Sequence, residues 1–117
     1  MTEDRTRERV SMGIEHLENA IEYSHRGRSQ FFDPENPDTQ RLVEGELRKA
    51  YEALNRLGDP FYNSNPSIPR EEIARVRQLL THDYADADPG VIWRIVTQEA
   101  PPLLRRLLKA KTPIRPD

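Results

Sequence analysis

Four residues in one short stretch could do chemistry together: Arg77, Gln78, His82 and Tyr84. Histidine titrates near neutral pH and can move a proton, while arginine stays charged and can grip a phosphate through two parallel hydrogen bonds. Such a pair suffices for metal-free RNA cleavage, in which the ribose 2′-hydroxyl is the nucleophile and the protein supplies no covalent group. On residue chemistry alone, a solvated helix face explains an arginine and a histidine at this spacing more simply than a site does.

The helix that must carry them starts at Ser67-Ile68-Pro69-Arg70-Glu71-Glu72, where proline suits the first helical position and two glutamates meet the positive helix end. At roughly 100° per residue, Ile73, Val76 and Leu80 share one face with Leu79 at its edge. His82 falls about 180° from Ile73, on a polar stripe with Glu71, Arg75 and Gln78. Arg77 and Tyr84 lie on a second stripe beside the apolar face, roughly 10 Å apart. The face bearing His82 is therefore one that the chain's own core does not use.

The remaining chain supplies further helices. Val10, Ile14, Leu17 and Ile21 recur at helical spacing over about residues 4–26, with Gly27 as a stop and with His16 and His25 expected at the surface. Residues 29–38 read as a connection that Phe31 and Phe32 anchor to the core. A second long helix is expected from Asp38, as its amino-terminal cap, to Leu57, with Gly58 beyond it. Residues 59–69 read as loop. Asp88 caps a restart with Pro89 at the first helical position, and Pro101-Pro102 should break or kink the final helix near Glu99. Residues 112–117 read as a loose tail. Strand alternation and hairpin signals are absent, so the chain reads as an all-α bundle of four or five up-and-down helices in one domain, residues 1–117, without repeats.

Composition narrows the functions. The net charge of -2 gives no global attraction to nucleic acid, so any RNA surface must come from local clustering. Fifteen of the eighteen basic residues are arginine, which suits phosphate recognition and is also what a GC-rich genome supplies. The absence of cysteine excludes disulfides, thiolate metal sites and cysteine nucleophiles. No glycine-rich phosphate loop, HExxH pair or GxSxG elbow is present. Asp86, Asp88 and Gly90 suggest a calcium loop, but the twelfth position is Thr97 rather than glutamate, and no metal or cofactor is expected. The charged start of the chain is no secretory signal, and nothing approaches a membrane span, which places the protein in the cytoplasm by default.

The order Ile68-Pro69, Ile73, Arg77-x4-His82-x-Tyr84, Asp88 and Trp93 resembles the HepT-like branch of the HEPN superfamily. The resemblance extends upstream to Gly27-Arg28-Ser29, Phe32-Asp33 and Glu52-Ala53, and downstream to Ala100-Pro101 and Leu104, covering about residues 7–110. Three positions depart from the family pattern: Gln78 stands for asparagine, Arg70 for tryptophan, and Glu44-Gly45 for an apolar–arginine pair. Gln78 keeps an amide one turn below His82, from where it would orient the imidazole.

This resemblance implies a homodimer whose two Arg-x4-His motifs border one cleft. It implies a metal-independent endoribonuclease, the toxin of a type VII-like toxin–antitoxin pair. His82 and Arg77 would be catalytic, Gln78 supporting, and Tyr84 the acceptor of AMP transferred by a minimal nucleotidyltransferase antitoxin. The alternative is a HEPN helical module without turnover that binds RNA or a partner protein.

Overall fold

The computed structural model describes residues 2–81 and 88–110, and every described element is helical. The long helices are α1 (Glu3–Ser24), α3 (Asp38–Asn55) and α5 (Arg70–Thr81), with two short ones, α2 (Arg28–Phe31) and α4 (Asp59–Ser64), between them. A fourth helical run joins α6 (Pro89–Arg94), a π-helical turn (Ile95–Glu99) and α7 (Ala100–Leu108). The all-α bundle expected from the periodicity is the fold observed. His82, Tyr84 and the tail 112–117 lie outside the described residues.

Helix α3 is the centre of the bundle. Its stripe of Val43, Leu47, Ala50, Tyr51 and Leu54 is fully buried, because helical spacing gathers these apolar side chains on one face against α1 and α5. Pairs along α1 and α3 and the residues just beyond their ends run antiparallel: Arg9 with Arg56, Gly13 with Leu54, His16 with Glu46, and Arg26 with Thr39. From α5, Ile73, Val76 and Leu80 enter the same core, and Ile92, Ile95, Val96 and Leu103 close it from the last run.

Local chemistry accounts for the helix boundaries. Thr2 caps α1 by accepting from the Arg5 amide, and Asp88 caps α6 by accepting from the Gly90 amide at 2.8 Å. Gly27, at φ 105°, makes the left-handed turn between α1 and α2 that a side chain would resist. Asp38 is the first helical residue of α3 rather than its cap. The residue before the helix is Pro37, and the Asn36 side chain, two residues before the expected cap, accepts from the Asp38 amide at 3.1 Å.

Two connections hold more structure than their prolines and asparagines suggested. Residues 28–31 coil into α2, which seats Phe31 and Phe32 edge-on to each other and both against Trp93, at centroid distances of 4.8, 4.9 and 5.8 Å. Residues 59–64 coil into α4 with Pro60 in its first turn, burying Phe61 and Tyr62.

Pro101-Pro102 does not end the final helix. The chain widens into a π turn over residues 95–99, after which the two prolines open α7, where missing amide protons and a fixed φ are tolerated. Among the described residues no helix is long and apolar enough to cross a membrane.

Candidate active-site face

Helix α5 projects Arg77 from the flank of its buried stripe, so the side chain is half-exposed and its head lies over α3. There the Arg77 Nε donates to Glu52 Oε2 at 2.9 Å. The other carboxylate oxygen, Glu52 Oε1, accepts from Nε of Arg56 at 3.2 Å, one turn along α3. The hydrogen bond from Arg77 and then the two arginine charges hold the Glu52 carboxyl below its usual value, against the opposing effect of partial burial. From α1, Arg9 Nη1 donates to the Arg56 carbonyl at 3.0 Å. Arg77 and Arg56 thus share the Glu52 carboxylate, and Arg9 from α1 holds the backbone of Arg56.

Gln78 is exposed on the neighbouring stripe, as the helical wheel predicts, and Leu79 is 39% exposed at its edge. The described part of α5 ends at Thr81, whose hydroxyl bonds back to the Arg77 carbonyl at 3.0 Å. Sequence reasoning brought out Arg77 and Gln78 correctly as outward-facing groups but gave Glu52 and Arg56 no role. The signals were the place of Glu52-Ala53 in the family resemblance and the i, i+4 Glu–Arg pattern on α3, which is common on solvated helices.

A second polar cluster lies toward the start of α5. Arg75 Nη2 reaches Glu99 Oε1 at 2.7 Å, joining α5 to the π turn, and stands 3.9 Å from Glu72. A hydrogen bond between Glu72 and Glu99, then burial and the Glu99 charge, raise the Glu72 carboxyl above its ordinary value. Beneath them Tyr51 is buried beside both glutamates, and burial first, then their charge, pushes its phenol far up.

His16 is not the surface histidine expected from its polar neighbours. Its Nδ1 sits 2.5 Å from Glu46 Oε2, with side-chain exposures of 18% and 15%, because antiparallel packing sets α1 and α3 face to face there. His25 is exposed. The basic residues Arg94, Arg105, Arg106 and Lys109 are all exposed, and the last three border a shallow groove with Pro102. Arg70, which departs from the family's tryptophan, stacks over the Tyr62 ring at 4.7 Å and pairs with Asp59 at 2.6 Å. It thereby ties α4 to α5 by cation–π and charge where an aromatic ring would use area. Among the described residues no three His, Asp or Glu side chains converge as metal ligands would.

An all-α bundle with this arrangement of long helices belongs to the HEPN type of helical domain. More particularly, the chain belongs to the HepT-like ribonuclease family, whose model, described as Ribonuclease HepT-like, it matches over residues 14–110. Relatives include a protein of Methanocaldococcus jannaschii named as a candidate RNase, 29% identical over 90 residues, which are 75% of this chain and 72% of the other. A protein of Thermococcus cleftensis named as a candidate ribonuclease HepT is 33% identical over 73 residues, 62% of this chain and 66% of the other. No solved structure matches significantly.

Proposed function

We propose that this protein is a metal-independent endoribonuclease, acting as the toxin of a type VII-like toxin–antitoxin pair. Arg77 stabilises the charge of the pentacoordinate phosphate, and His82 transfers the proton. Gln78 orients the imidazole. The observation that carries the reading is Arg77: a half-exposed guanidinium clamped against α3, five positions before His82 in the sequence, in a chain of a ribonuclease family.

Two protomers pair so that their motifs border one cleft. This fits the position of His82 on the helical wheel, opposite the residues that α5 gives to its own core. The exposed Arg94, Arg105, Arg106 and Lys109 supply phosphate contacts that weaken with salt.

The test is RNA cleavage by the purified protein in EDTA, beside its His82→Ala variant. Wild type should cut, and the variant should lose about 10²–10⁴-fold, the usual contribution of general acid–base catalysis. Cleavage abolished by EDTA and restored by magnesium would reject the metal-free mechanism. RNA binding without cleavage by wild type would make this a HEPN module that has kept the fold and lost turnover.

A further inference from the structure

Glu52 stands on α3, distant in sequence from the motif it touches. Its two carboxylate oxygens are divided between two arginines, Oε2 taking Arg77 Nε at 2.9 Å and Oε1 taking Arg56 Nε at 3.2 Å. The point of attachment on Arg77 matters. A guanidinium presents five donors in a planar fork, and a bidentate grip on phosphate needs two of them side by side. A carboxylate bound at Nε leaves the edge formed by Nη1 and Nη2 available while fixing the plane in which that edge lies. A lone arginine on a helix surface would sample many rotamers, and a competing carboxylate on the Nη edge would block it.

We infer that Glu52 is a positioning residue for Arg77, anchoring the guanidinium by Nε so that its Nη1–Nη2 edge is presented to an RNA phosphate. This rests on the proposed role of Arg77. Arg56 occupies the second carboxylate oxygen, which keeps Glu52 charged and turned toward α5. The arrangement is more than a tie between helices, because α3 and α5 already share the buried contacts of Val76, Leu80, Leu47 and Leu54.

A double-mutant cycle on RNA cleavage tests this. Glu52→Ala should lower kcat/KM about ten- to a hundredfold, the scale expected when a reacting group is misplaced by about 1 Å. Glu52→Gln, which keeps an acceptor oxygen, should recover part of the loss. In an Arg77→Ala background, Glu52→Ala should change nothing further, whereas a purely structural role would add its loss in both backgrounds.

Full activity in Glu52→Ala, or additive losses, would overturn the inference while leaving Arg77 in place. Wild-type cleavage by Arg77→Ala would instead sink the reading of Arg77 itself. A second readout needs no turnover. On adding inorganic phosphate, the Arg77 side-chain NH resonances should shift in wild type and lose that response in Glu52→Ala. An equal response in both proteins would also overturn the role of Glu52.

Discussion

Arg75 on α5 and Glu99 in the π turn meet at 2.7 Å, so the one irregular turn of the last helical run is tied to the helix that carries Arg77. Glu72 shares this contact, and its hydrogen bond with Glu99 and its partial burial raise its carboxyl above the ordinary value. A carboxyl whose folded-state pKa is raised contributes stability that is present at low pH and lost as pH rises through the folded value. The glutamate reference is 4.5, so the loss falls above it, toward neutrality. Glu72→Gln keeps a donor to Glu99 and has no proton to lose. Its melting temperature should therefore gain on that of wild type as pH is raised from weakly acidic to neutral. A melting-temperature difference that stays flat across that range would remove the shared proton from the account.

Two glycines in the long helices should respond to alanine in opposite directions. A Cβ at Gly13 would stand 2.4 Å from Leu54 Cδ2 and 2.8 Å from Cγ, and Leu54 is fully buried. The second contact is not relieved by turning the side-chain end, so α1 and α3 must separate. Overpacking of this kind costs about 1–3 kcal/mol, more than the helix propensity that alanine regains. At Gly45 nothing lies within 4 Å of the added carbon, and Gly45→Ala should stabilise by about 0.5–1 kcal/mol. Urea denaturation of the two variants measures both signs.

The Tyr62 hydroxyl donates to the Leu54 carbonyl at 2.7 Å, joining α4 to the end of α3. Burial raises this phenol to about 12, so it remains a donor through neutral pH. Leu54 keeps a second bond from the Leu57 amide, which limits what is lost in Tyr62→Phe. The cost should be about 1 kcal/mol, or a fall of about 4–8 °C in the melting temperature. Thermal unfolding followed by circular dichroism would show it.

Tyr84 is proposed as a regulatory group rather than a proton carrier, since a phenol near pKa 10 transfers protons poorly at neutral pH. Tyr84→Phe should retain much of the cleavage. Co-expressed with a nucleotidyltransferase antitoxin, wild type should gain the mass of AMP and fall silent, because phosphate on that stripe competes for Arg77. The phenylalanine variant should stay unmodified and toxic. Equal neutralisation of both forms would mean that inhibition works by binding alone.

The long helices, the buried stripe of α5 and the outward direction of Arg77 and Gln78 were legible in the sequence, because caps and a 3.6-residue period act within one turn or a few. Asp88 marks a start that the chain adopts, and the order of residues around Arg77 pointed to the family. What needed the tertiary structure joins residues that no local period relates. Glu52 meets Arg77 across 25 positions, and His16 meets Glu46 across 30, only after antiparallel and neighbouring helices pack. The π turn also belongs to this group. Pro101-Pro102 removes two amide donors, which sequence reads as a break or kink, but Val96 within the π turn and Ala100 just after it are fully buried in the shared core. Keeping both in place favours a wider turn over an interrupted helix, and that balance is set by packing rather than by proline alone.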